Sequence, residues 1–185
     1  MNHSRTRRIY LTGFMGSGKS TLAPILANTL GYSFLDIDRE IETAIGTTVA
    51  TIFHDAGEQY FRQIEHRTLE TLSVRNDCVF ALGGGTIANQ QNFELVKATG
   101  ILIYLKSTVD EIIRRLRHKT DRPLLAAIRR QAKTNEEIRT TVASLLLQRE
   151  RFYNQADIII STTNRSVGKT IDHIIHALHT MQNTL

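Results

Sequence analysis

From Gly13 to Thr21 the chain reads Gly-Phe-Met-Gly-Ser-Gly-Lys-Ser-Thr, which fits the pattern G-x-x-x-x-G-K-[ST]. Glycines in such a stretch let backbone N–H groups turn inward around anionic oxygens. A helix beginning at the lysine adds the partial positive charge of its N-terminus. Lys19 can then reach the β- and γ-phosphates of a nucleotide, and the Ser20 hydroxyl can ligate Mg²⁺. Gly16, Ser17, Gly18, Lys19, Ser20 and Thr21 are therefore expected to cradle ATP, with Lys19 in the catalytic charge set. A plain Gly/Ser turn is the alternative. The setting argues against it, because a strand-like run, Arg8 to Thr12, precedes the motif and an amphipathic helical stretch follows it.

Such cradles usually share Mg²⁺ with an aspartate at the end of a second apolar strand. Val79-Phe80-Ala81-Leu82 is a strand of that kind, but Gly83 follows it. Phe34-Leu35-Asp36-Ile37-Asp38 offers carboxylates instead. With a strand period of two, Asp36 and Asp38 point to one side, at the strand end where open α/β sheets bind ligands. Asp36 is expected in the Mg²⁺ shell, and Asp38 is expected to accept hydrogen bonds from hydroxyls of an acceptor. The competing reading makes Asp38 a helix cap and Asp36 part of a turn.

Three further groups could face an acceptor. Gly83-Gly84-Gly85 follows the apolar strand and permits close approach of a ligand to the backbone. Arg62 lies three residues before Glu65 and four after Glu58, so a helix would put all three on one face and fix the guanidinium for a carboxylate. Arg122-Pro123-Leu124-Leu125 and Arg149-Glu150-Arg151-Phe152-Tyr153 set arginine beside apolar residues. Taken singly, these arginines would be ordinary solvated charges or surface ion pairs.

The elements that must position these residues alternate in type. Strands are expected at Arg8 to Thr12, Ser33 to Asp36, Cys78 to Leu82, Ile101 to Lys106 and Ile158 to Ser161. Helices are expected at Lys19 to Leu30, Asp38 to Ala44, Gln59 to Ser73, Asn92 to Ala98, Thr108 to Leu116, Glu136 to Asn154 and Ser166 to Met181. Gly31 reads as a helix stop, and Thr108 with Glu111 reads as a capping box. The alternation predicts an α/β domain with a parallel sheet. Arg117 to Thr134 lacks steady periodicity and is rich in charge, as functional loops often are.

Composition narrows the class. At 185 residues, 41% hydrophobic and 22% charged, the chain suits one soluble globular domain over residues 1–185. No apolar run is long enough to span a bilayer, and no signal-peptide core follows the basic N-terminus, so no membrane partner is expected. One cysteine, Cys78, allows no internal disulfide and suits a cytoplasmic location. A net charge of +5 suits anionic ligands. The charge is scattered and only 6% of residues are aromatic, which disfavours nucleic acid. A monomer is expected. His173, His176 and His179 recur on the last helix, but exposed neutral histidines explain them more simply than a metal does. His54, Asp55 and His66 form no nucleophile constellation with a serine.

Taken together, the segments Gly13 to Thr21, Asp36-Ile37-Asp38, Phe61-Arg62-Gln63-Ile64-Glu65, Gly83-Gly84-Gly85, Arg122-Pro123-Leu124-Leu125, and Arg149 with Tyr153 resemble the shikimate kinase family, in the family's order. The resemblance implies a P-loop NTPase fold, with a five-stranded parallel sheet in the order 2-3-1-4-5. It implies a substrate-binding helical region near residues 38–73 and a lid near residues 117–133. It implies that Asp38, Arg62, Gly83, Gly84, Gly85 and Arg149 surround shikimate, that Arg122 rides on the lid and touches ATP phosphates, and that Arg165 lies near the adenine. Either Arg115 or Arg117 is placed to stack on that base. The implied reaction moves the γ-phosphoryl group of MgATP to the 3-hydroxyl of shikimate, with Lys19, Mg²⁺ and Arg122 stabilising charge and Asp38 orienting the hydroxyl or taking its proton. The stretch from Arg122 to Arg149 is longer than is usual in the family. Two rivals share parts of the pattern. A gluconate or nucleoside monophosphate kinase shares the cradle, and a non-catalytic nucleotide sensor or nucleic-acid module shares the basic charge.

Overall fold

In the computed structural model, which describes residues 8–117, 128 and 134–183, five short strands form one parallel sheet in the order β2-β3-β1-β4-β5. The strands are β1 (Arg8–Thr12), β2 (Ser33–Asp36), β3 (Cys78–Ala81), β4 (Ile101–Lys106) and β5 (Ile158–Ser161). Around them run α1 (Lys19–Leu30), α2 (Ile37–Ile45), α3 (Val49–Asp55), α4 (Gly57–Leu72), α5 (Gln90–Thr99), α6 (Val109–Leu116), α7 (Asn135–Tyr153) and α8 (Val167–Asn183). The order is the one that the family resemblance implies, and the strand bounds match the sequence reading, except that β3 stops one residue early.

Strand alternation sorts the core into two layers. Ile9, Leu11, Val79, Ile103 and Leu105 face α1 and α8, meeting Leu22, Leu26, Ile174 and Leu178. Tyr10, Phe80, Leu102 and Tyr104 face the other way, toward α4, α6 and α7, meeting Leu69, Ile112, Val142 and Tyr153. Each side chain of this size contributes about 1.5–3 kcal/mol on burial. With both faces covered, the strands can be continuous apolar runs, as Ile101 to Leu105 is.

Helix ends follow their residue types. Gly31 closes α1 at φ 70°, as a left-handed stop. Thr48 caps α3 by accepting from the Thr51 N–H. The sequence reading passes over α3, because its seven residues are too few to show a helical period. The Thr108 capping box is only half made. Its hydroxyl accepts from the Glu111 N–H, but the Thr108 N–H donates to Thr163 Oγ1 at 3.1 Å and the Glu111 carboxylate turns to two arginines.

Among the described residues no helix is long and apolar enough to cross a membrane.

Candidate active site

A cleft of about 590 Å³ opens along the C-terminal ends of the strands. Parallel α/β sheets place ligands at that edge, because the helices that follow each strand begin there.

The loop from Gly13 to Gly18 joins β1 to α1. Gly13 has φ +145°, and a Cβ there would sit 2.7 Å from the Leu105 carbonyl oxygen. Gly18 has φ +106° and caps α1. Both positions need glycine, the first for space as well as for conformation. The Lys19 Nζ donates to the carbonyls of Gly13 at 2.6 Å and Phe14 at 3.2 Å. Gly16, Ser17, Gly18, Lys19, Ser20 and Thr21 all line the cleft.

Asp36 and Asp38 line it too. The reason differs from the strand alternation read in the sequence. β2 ends at Asp36, and Ile37 already belongs to α2. Asp36 is the helix cap, with Oδ1 accepting from the Asp38 N–H at 3.1 Å. Asp38 therefore projects from the first helical turn, beside the positive end of the helix dipole.

The glycine turn after β3 joins this region to two arginines. Its residues carry no left-handed φ, so what matters is the missing side chains. A Cβ on Gly83 would come within 3.1 Å of Asp38 Oδ1 and of Glu65 Oε1. One on Gly84 would stand 3.4 Å from Arg149 Nη1 and 3.5 Å from the Gly13 carbonyl. One on Gly85 would fall 2.6 Å from Arg62 Nη2. A side chain on any of the three would thus meet the protein's own charged groups, and Gly83 and Gly84 themselves line the cleft.

Arg62 bonds Glu65 Oε2 at 2.7 Å and Glu58 Oε1 at 3.0 Å. Its guanidinium also lies over Phe61 at 5.3 Å and Phe53 at 6.0 Å. Burial works against its charge, but the Glu65 and Glu58 carboxylates outweigh burial and raise its pKa above the usual arginine value. Glu65 is fully buried, and Thr86 Oγ1 donates to its other oxygen at 2.6 Å. Asn92 donates to the Thr86 carbonyl at 3.1 Å and faces His66 Nδ1 at 2.7 Å. Sequence spacing marks the pairing of Arg62 with Glu65. It gives no sign of the burial of Glu65 or of the brace through Thr86 and Asn92.

Arg149 Nη1 donates to the Gly84 carbonyl at 3.2 Å, and the guanidinium lies over the Phe14 ring at 5.6 Å. Arg62, Gly85 and Arg149 are not cleft-lining residues, but they adjoin the cleft through Gly84.

Arg165, with Asn164 and Thr162 after β5, lines the opposite end. Its guanidinium contacts His173 Nδ1 on α8. Arg115 lines the same end, whereas Arg117 does not. Arg115 binds Glu111 Oε1 at 2.7 Å, the carbonyls of Gly16 at 3.2 Å and Ser17 at 3.3 Å, and the Thr162 carbonyl at 2.6 Å. Arg122 and nearly all of the lid expected at 117–133 lie outside the described residues.

The whole arrangement offers a cationic phosphate cradle, hard oxygen donors beside it, and two braced arginines past a glycine turn. Residues 15–179 match the family model described as Shikimate kinase. The chain is 46% identical over 177 residues to a shikimate kinase of Chlorobium chlorochromatii, covering 96% of this chain and 93% of that protein. It is 45% identical to one from Chlorobaculum parvum, covering 90% and 89%. A solved shikimate kinase of Acinetobacter baumannii in complex with shikimate superimposes with TM-score 0.85 at 34% identity, covering 94% of this chain and 93% of that one.

Proposed function

The chain belongs to the shikimate kinase family and is an ATP-dependent shikimate kinase, and from that premise we propose how its own residues divide the work. One observation carries the division. At Gly84 the two halves meet, with the Gly13 carbonyl and Arg149 Nη1 both within 3.5 Å of where a side chain would begin. An acceptor held by the arginines therefore lies next to a nucleotide held by the loop.

The loop binds ATP. Its backbone and the start of α1 take the phosphates, and Lys19 turns from its carbonyls onto the β- and γ-oxygens. Arg165 borders the adenine, and so does Arg115, which lines the cleft where Arg117 does not. Arg62 and Arg149 take the shikimate carboxylate, and Asp38 accepts hydrogen bonds from its hydroxyls. Gly83, Gly84 and Gly85 leave room for these side chains. The 3-hydroxyl then attacks the γ-phosphorus in line, and the bond from that phosphorus to the β,γ-bridging oxygen breaks as ADP leaves. Asp38 orients that hydroxyl and stands where its proton would go. Carboxylates are weak bases toward alcohols, so orientation is the larger share.

Ser20 and Asp36 fit a divalent cation, since both are hard oxygen donors in one cleft and the Asp36 carboxylate is fixed by the Asp38 N–H. Bound with ATP, Mg²⁺ would offset the phosphate charge. Arg122, in the stretch expected as a lid and outside the described residues, is assigned the role of adding positive charge at the transition state. Residues 38–73 form the acceptor-binding region. The chain works as a monomeric, cytoplasmic, single-domain enzyme on small molecules, without nucleic acid or membrane.

Steady-state kinetics of Arg62→Ala and Arg149→Ala test the division. Each loses a charge-assisted hydrogen bond, about 1.5–3 kcal/mol. The KM for shikimate should rise roughly ten- to a hundredfold, with the KM for ATP nearly unmoved. A selective loss of ATP affinity would put that arginine on the nucleotide instead.

A further inference from the structure

Two residues one turn apart on α7 point their donors at a single acceptor. Arg149 Nη1 and the Tyr153 hydroxyl both donate to the Gly84 carbonyl. The i, i+4 spacing puts them on one helix face. Tyr153 is 1% exposed, and its ring stacks on Tyr104 with centroids 4.8 Å apart. Burial pushes the Tyr153 phenol up to about 12, so it stays protonated and remains a donor throughout the working pH range.

A peptide unit is planar, with its C=O and N–H antiparallel. Fixing the Gly84 carbonyl toward α7 therefore turns the Gly85 N–H away from α7. Among the described residues no backbone carbonyl accepts from that N–H. A glycine triplet has little intrinsic preference to hold such a direction. Arg149 alone is a poor anchor, because its guanidinium also has the acceptor carboxylate to bind. Tyr153 has no such second task, and its ring is locked by packing.

We propose that Tyr153 is a positioning residue for acceptor recognition: its hydroxyl fixes the Gly84 peptide, which sets the direction of the Gly85 N–H and leaves Arg149 free to hold its pose toward the acceptor. This rests on the reading that shikimate binds between Arg62, Arg149 and the glycine turn. Tyr153 touches no reacting atom in this scheme. Its effect passes through Gly84 and shows as selectivity between the two substrates.

The molecule contains a matched control. Tyr10 is also fully buried, also stacks on an aromatic ring (Phe80, 4.8 Å), and its hydroxyl also makes one hydrogen bond, to Thr99 Oγ1 at 2.9 Å. That bond joins β1 to α5, and neither residue lines the cleft. Tyr153→Phe and Tyr10→Phe each remove one hydroxyl and keep the ring. Both should lower the melting temperature by a few degrees. Tyr153→Phe should in addition raise the KM for shikimate about three- to tenfold, the effect of one neutral hydrogen bond. Its KM for ATP should stay within about twofold, while Tyr10→Phe moves neither constant. Isothermal titration of shikimate into both proteins gives the same comparison without turnover. If Tyr153→Phe alters only stability, as Tyr10→Phe does, the positioning role is overturned. The same holds if both KM values rise together, which marks general loosening. Arg149→Ala is measured in parallel. If it leaves the KM for shikimate unmoved, the acceptor site itself is misplaced. If it raises that KM and Tyr153→Phe does not, only the inference about Tyr153 fails.

Discussion

The proposed phosphate cradle is nine consecutive residues, Gly13 to Thr21, whereas the proposed acceptor side takes Asp38, Arg62, the Gly83 to Gly85 turn and Arg149 from four separate stretches. The first is held by backbone conformation. Gly13 and Gly18 have φ values that other residues rarely adopt, and the start of α1 does the rest. The second is held by side chains bracing side chains. Arg62 rests on Glu65 and Glu58, Glu65 on Thr86, and Arg149 on the Gly84 carbonyl. A phosphate chain is recognised by many weak donors, so a contiguous loop can supply them. A carboxylate beside a set of hydroxyls needs a few charges at fixed separations, which one loop cannot span.

The sharpest break between the halves is expected from Lys19→Ala. Its ammonium is the one compact charge in the loop's motif, resting on the Gly13 and Phe14 carbonyls. Removing a preorganised charge from a phosphoryl-transfer site costs at least about a hundred- to a thousandfold in kcat. The melting temperature should hardly change, since Lys19 sits at the cleft and not in the core. Near-normal kcat would mean that the cradle does not hold the reacting phosphate.

Gly85→Ala probes the other half. Its φ of −110° suits alanine, so the fold should survive. The new Cβ would stand 2.6 Å from Arg62 Nη2, and that guanidinium must leave its seat on Glu65. The KM for shikimate should rise roughly tenfold or more, as for loss of Arg62. In an Arg62→Ala background the same change should add little, because both act through one group. Full additivity would show that the glycine serves the ligand directly. Gly13→Ala is the contrast. Its neighbour is the Leu105 backbone, which cannot step aside, so stability and both KM values should suffer together.

The same contrast explains what could be read from the chain. The cradle was legible because its chemistry is local, and its strand and helix flank it within a few residues. The five strands and their order followed from apolar runs and from the family resemblance. Asp36 and Asp38 both line the cleft, but not by the strand alternation that the sequence suggests. The switch from β2 to α2 at Ile37 leaves no loop between them, and four residues of strand are too few to show where the period changes. Arg62 looked like half of a surface ion pair. Its partner Glu65 is buried, and accepts from Thr86, 21 residues further along the chain. Such long-range contacts leave no local pattern. Tyr153 follows Arg149 by four residues, and that spacing was the available signal for a shared target.

Even the donor half is not wholly local, and Glu111 measures by how much. It lies on α6, nearly buried, and holds Arg114 and Arg115. Arg115 in turn binds the carbonyls of Gly16 and Ser17 in the cradle and of Thr162 after β5. The hydrogen bond from Arg114, together with the charge of Arg115, outweighs burial and lowers the Glu111 pKa. A lowered carboxyl pKa stabilises the fold above the ordinary glutamate value of about 4.3, and that contribution is lost as pH falls through the folded-state value. Glu111→Gln should therefore cost some stability at neutral pH and little at strongly acid pH, flattening the acid limb of the unfolding curve. It should also raise the KM for ATP by a small factor, about two- to fivefold, through a looser Arg115. The KM for shikimate should stay put. A pH-independent stability loss, or equal shifts in both constants, would show that Glu111 merely packs and that the cradle stands without its brace.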